Sequence, residues 1–145
     1  MGTGVRVDPY RSFNFRVEGL DIASFSEVSG LSSDGDAVDY REGTDGVLSV
    51  RKLTGLRKYN NVTLKRGVTQ NLALWNWYQN IINGIRDRRA CTVVLQNEEG
   101  IDVIRWSLRN AYVNKYEIST LSATGNEVTV ETVELVHEGL TMEVA

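Results

Sequence analysis

At 145 residues the chain is one domain of ordinary size, and 41% hydrophobic with 24% charged residues is the composition of a soluble globular protein. A formal net charge of −3 speaks against a surface built to neutralise phosphates, and no apolar run approaches the roughly 20 residues of a membrane helix. The opening MGTGVRVDPYRS lacks the apolar stretch of a signal peptide, so synthesis and folding in the cytoplasm is the expectation.

Residues 1–9 read as a flexible leader. Phe13, Phe15 and Val17 then alternate with Ser12, Asn14, Arg16 and Glu18, the period of a half-buried strand. Gly19-Leu20-Asp21 makes a turn, residues 25–28 a short strand stopping at Ser29-Gly30, and residues 32–36 carry turn chemistry. From 37 to 42 the alternation resumes, with Val38 and Tyr40 on one face and Asp39 and Arg41 on the other. A strand over 59–66 sets Val62 and Leu64 against Asn61, Thr63 and Lys65, and the two strands are expected to form a long hairpin.

Between them lies an excursion over 43–58, far longer than the usual hairpin loop of about 2–5 residues. It mixes Gly43, Gly46 and Gly55 with Val47, Leu48, Val50, Leu53 and Leu56 and with Arg51, Lys52, Arg57 and Lys58, too aliphatic for a disordered linker. The pattern leaves two readings open: an extended loop that docks on another protein, or a loop folded back over its own core.

Residues 69–84 read as the one helix, capped by Thr69 or Asn71 and ended by Gly84. Leu72, Trp75, Tyr78 and Ile82 form its stripe, widened by Leu74, Trp77, Ile81 and Ile85. Two residues apart on a helix is about 200° of rotation, so Trp75 and Trp77 do not share the centre of one face. After the basic connection at 86–89 come strands at 90–97 and 101–109, joined by Glu98-Glu99-Gly100, and then at 112–118 and 127–137. In the last of these, Val128 and Val130 change phase to Val133 and Leu135, which predicts a bulge. The whole is mainly β with one helix, a single domain over 1–145.

Catalytic chemistry has little to stand on. Cys91 sits in an apolar run and reads as a small core residue. His137, the only histidine, lies in an alternating strand without metal-ligand spacing around it and reads as structural. Asp34-Gly35-Asp36 and Thr44-Asp45-Gly46 match calcium loops only in fragments, without the closing Glu. A small hydrolase using Cys91 and His137 is the enzymatic alternative; the expectation is no catalytic residue, no metal and no cofactor.

Colinear motifs carry a resemblance. Tyr10-Arg11-Ser12-Phe13, Phe25-Ser26-Glu27-Val28-Ser29-Gly30-Leu31, Tyr40-Arg41-Glu42-Gly43 and Asn61-Val62-Thr63-Leu64-Lys65-Arg66-Gly67 come first. Leu74-Trp75-Asn76-Trp77, Ala123-Thr124-Gly125-Asn126-Glu127-Val128 and Glu131-Thr132-Val133-Glu134-Leu135 follow. The set, spread from about 10 to 138, resembles the tail-tube proteins of contractile phages and of phage-tail-like contractile injection systems. Thr54 departs from it where the family often has Pro before Gly-Leu.

The resemblance implies two antiparallel sheets in a sandwich or barrel with a flanking helix, similar to the tube protein of type VI secretion. It implies a structural role in hexameric rings stacked into a hollow, rigid tube. The implied partners are further copies of the chain, a contractile sheath, baseplate, spike and initiator proteins, and cargo or DNA in the lumen, without direct membrane insertion. Assembly is expected in the bacterial cytoplasm, with ejection on contraction. A secreted effector-carrying ring or chaperone of the type VI kind is the alternative. Combined with alternation, the resemblance assigns Asp39, Arg41, Asn61, Thr63, Lys65, Lys115, Glu117, Glu127, Thr129 and Glu131 to the channel. It assigns Asp45, Val47, Leu48, Arg51, Lys52, Leu53, Leu56 and Arg57 to ring stacking.

Overall fold

The computed structural model describes residues 8–12, 14–20, 22, 24–40 and 51–145. Nine strands and one helix occur among them: β1 Phe15–Glu18, β2 Glu27–Ser29, β3 Ser33–Tyr40, β4 Arg51–Tyr59, β5 Val62–Gly67, α1 Ala73–Ile82, β6 Arg89–Gln96, β7 Asp102–Ile118, β8 Val130–Val136 and β9 Gly139–Val144. All pairing is antiparallel.

β7 organises the body because it belongs to two sheets. Its first half lies between β6 and β9, with β1 beyond β6; its second half pairs with β8, followed by β5 and β2. The change of sheet falls at Asn110, whose φ of +52° is a left-handed conformation that Asn tolerates better than most side chains. The sequence reading divided this strand in two at that point. β8 continues into β9 along the same side of β7, so both long strands turn the corner together.

The core lies where the sheets face each other. Val17, Cys91, Val93 and Leu108 come from the β1–β6–β7–β9 sheet, and Val62, Leu64, Val113, Val133 and Leu135 from the β7–β8–β5–β2 sheet. Leu74 and Trp77 of α1 close the cluster. Trp77 is fully buried, donates its indole N–H to the Asp87 carbonyl at 2.7 Å, and carries the Arg89 guanidinium over its ring at 4.7 Å. Trp75 remains 38% exposed, against Tyr78 and Tyr116. The two tryptophans thus divide as helical geometry requires. The helix starts later than predicted, at Ala73, whose N–H is accepted by Asn71 Oδ1; Gly84, at φ +78°, follows its end.

One predicted pairing is wrong. The strand carrying Val38 and Tyr40 does not pair with the strand carrying Val62 and Leu64. β3 pairs with β4 in a separate two-stranded ribbon, while β5 pairs with β2 and β8. Residues 51–58 of the supposed loop are therefore strand. The reason is competition: Val62 and Leu64 are buried completely in the body, whereas the side chains of β3 and β4 stay exposed and the two strands hold each other chiefly through cross-strand pairs.

Candidate assembly surfaces

Three surfaces matter, and the first is the outer face of the β7–β8–β5–β2 sheet. Because Val62, Leu64, Val133 and Leu135 point inward, their neighbours Thr63, Lys65, Thr132 and Glu134 point outward, joined by Lys115 and Glu117 of β7. These six side chains line one shallow polar depression of about 290 Å³. Lys65 pairs with Glu27 of β2 at 3.3 Å, Lys115 with Glu117 at 4.0 Å, and the Asn61 amide donates to the Glu134 carboxylate. Charge on this face is mixed and locally paired.

Glu131 is not on that face. It is 3% exposed and points into the protein with Val133 and Leu135, where it accepts from the Arg66 guanidinium and the Tyr116 hydroxyl. Arg66 also donates to the Asn71 carbonyl, tying β5 to the entry of the helix. Burial, and then the bond to Glu131, pushes the Tyr116 hydroxyl well above its usual range. The predicted change of phase in β8 counted from Val128, which precedes the strand; β8 itself keeps one phase, with a charged residue at an inward position. Thr132 and Glu134, absent from the predicted set, are the outward residues, and counting back from Val133 and Leu135 finds them. Glu127 and Thr129 lie in the exposed connection between β7 and β8, beside Leu121 and Ser122.

The second surface is a pair of open sheet edges. Among the described residues no strand pairs with the free side of β2, nor with β7 beyond Ala111 on the side where β6 ends. Gly30, at φ +87°, closes β2 against the Asn61 carbonyl, which a Cβ there would meet at 2.2 Å.

The third surface is the ribbon. Asp39 and Lys52 pair on one of its faces, while Val38 and Leu53 lie opposite each other on the other, 49% and 48% exposed; Leu56 is 83% exposed. Arg51, Lys52, Leu53, Leu56 and Arg57 of the predicted stacking set, with Asp39 of the channel set, are thus on the ribbon. Asp45, Val47, Leu48 and Arg41 lie outside the described residues. At the ribbon's root His137 Nδ1 and Nε2 lie 3.1 and 3.0 Å from the carbonyl oxygens of Gly139 and Asn60, and Tyr59 packs on its ring.

Both ring nitrogens of His137 are therefore engaged, and Cys91 is fully buried with its thiol pushed up to about 12 by burial. Neither is disposed for nucleophilic chemistry. Among the described residues no group of three or more His, Cys, Asp or Glu is arranged to hold a metal, and no helix is long and apolar enough to cross a membrane.

Residues 11–141 match the family described as T4-like virus tail tube protein gp19. The chain belongs to that family. As a tail tube protein it resembles, at 26% identity and a TM-score of 0.81, a chain of the PVC extracellular contractile injection system sheath–tube complex in its extended state, covering 94% of this chain and 93% of that one. A chain of the anti-feeding prophage tube-terminating cap is 28% identical at a TM-score of 0.83, over 98% and 96%. Hcp1 from Flavobacterium johnsoniae shares the fold at 13% identity, a TM-score of 0.58 and coverage of 92% and 97%. No curated protein matches the chain in sequence. The family and these neighbours make this a structural, tube-forming protein of phage-tail-like contractile particles.

Proposed function

We propose that this tail tube protein forms hexameric rings that stack into the rigid inner tube of a contractile particle, with the outer face of the β7–β8–β5–β2 sheet turned to the channel. The role is mechanical, not catalytic. Assembly takes place in the bacterial cytoplasm on a baseplate and inside a sheath, and cargo or DNA passes through the lumen on contraction.

The observation that carries this reading is the direction of the two open edges. Along the sheet the strands alternate, so β2 runs antiparallel to β7. A head-to-tail neighbour therefore offers an edge that continues the antiparallel pattern, and a closed ring leaves no edge exposed. A polar face whose charges are paired within the chain suits a channel that must not hold its contents. The helix and its core are on the opposite face. The ribbon, with aliphatics that its own chain leaves exposed, suits docking on the adjacent ring.

Negative-stain electron microscopy with light scattering tests this directly. Rings or tubes are expected from the purified protein or after addition of a baseplate or initiator. A chain that stays monomeric with such a seed would sink the reading. Rings that fail to stack even when seeded would favour an effector-carrying ring. In assembled tubes a cysteine at Thr63 should resist labelling from outside; Cys91, the only native cysteine, is buried and gives no background.

A further inference from the structure

We propose that charge sets the register between neighbouring copies: Lys115 on the open edge of β7 pairs with Glu27 on the open edge of β2 of a second copy. This rests on the ring reading above and adds the alignment of its subunits.

Side chains on the outer face fall in rows that cross the sheet from edge to edge. Glu27 is opposite Lys65, Lys65 opposite Thr132, and Thr132 opposite Glu117. The next row runs from Ser29 through Thr63 and Glu134 to Lys115. If rows continued straight across a joint, Glu27 of one copy would face Glu117 of the next, and like charges directly opposite are destabilising. A straight joint would also give a barrel without stagger, whereas closing a sheet requires tilted strands and a staggered register.

Side chains alternate with period two, so only an even offset keeps the polar face on one side. An offset of two residues one way puts Glu27 against Lys115. The same offset the other way puts Glu27 against Ser119, past the end of β7 at Ile118, and forfeits edge hydrogen bonds. Opposite charge selects the first, in which Val28 and Ser29 face the stretch of β7 that bulges between Val113 and Lys115. Within one chain Glu27 and Lys115 stand at opposite edges, three strand spacings or about 14 Å apart, so a coupling between them is a coupling between copies.

Two single variants, Glu27→Lys and Lys115→Glu, test the pairing. Alone, each places like charges at every joint and should raise the protein concentration at half-assembly by about tenfold or more. Mixed in equal amounts they should assemble like wild type, because in an alternating hexamer every joint then carries one lysine and one glutamate. The penalty each variant suffers inside its own chain is unchanged by mixing, so rescue reports only the contact between copies. The double variant E27K/K115E should assemble by itself. Thermal unfolding of each single variant confirms that the subunit is folded, as expected for side chains 56% and 60% exposed.

The register is overturned if the mixture stays unassembled while wild type forms rings, or if E27K assembles better than wild type, the result expected were Glu27 facing Glu117. Wild-type protein that forms no rings even when seeded would overturn the ring reading, and the register with it.

Discussion

β4 and β5 are neighbours in sequence, separated by Asn60 and Asn61, and both mix aliphatics with Lys and Arg in an antiparallel pair. Their fates differ. In β5 Val62 and Leu64 are wholly buried and every second residue follows them; in β4 Leu53 and Leu56 are exposed. The difference lies behind the strand and not in it. β5 has a second sheet and a helix to bury its inward face, while among the described residues β4 pairs only with β3, and a two-stranded ribbon is marginal in water by itself. The lesson is that one strand chemistry can serve a core or wait for a neighbour, and the topology decides which.

The contrast can be broken most severely from the side of the body. Glu131→Ala would leave the Arg66 guanidinium buried without its counter-charge and the Tyr116 hydroxyl without its acceptor. A loss of about 3–5 kcal/mol is expected in urea unfolding. A loss below about 1 kcal/mol would mean that water reaches Arg66 easily and that the pair is not a structural element.

A smaller effect concerns the outer face of the β1–β6–β7–β9 sheet, where Arg16 bonds both Asp102 and Glu18 over the buried Val94. The Arg16 bonds, then that of Gln96, hold the Asp102 carboxyl at about 2, against an ordinary 3.8. A carboxyl with a lowered folded value stabilises the protein above its ordinary value and loses that contribution as pH falls toward the folded one. Unfolding measured between about pH 5 and about pH 2 should show this acid loss, and Asp102→Asn should reduce it across that interval. An identical acid profile for the variant would remove Asp102 from the account.

The smallest effect on the fold belongs to the ribbon. Leu53→Ser with Leu56→Ser should change subunit stability by no more than about 0.5 kcal/mol, since neither side chain is in the core. In electron micrographs the same change should shorten tubes. Unchanged tubes would separate the ribbon from stacking and return its aliphatics to an unexplained status.

Much of the body was legible because its residues obey the period of what buries them. Val62 and Leu64 alternate, Gly84 ends the helix, and Glu98-Glu99-Gly100 turns β6 into β7. The ribbon was not, since Ser33, Asp34, Gly35 and Asp36 are turn formers by local preference and become strand only through pairing with β4. β9 was missed although Leu140, Met142 and Val144 alternate, because its burial is slight. Glu131 was misassigned because a charge at an inward position looks like an outward one until its inward partner is noticed. Arg66 keeps the phase of Val62 and Leu64, so that signal was available.

β7 runs unbroken through both sheets over seventeen residues, turning at Asn110. A force on one wall of such a subunit reaches the other along covalent backbone, without crossing a packed interface that could slip. In the tube proposed above, a shared beam of this kind would resist shear between its layers, and failure would be displaced to the joints between subunits.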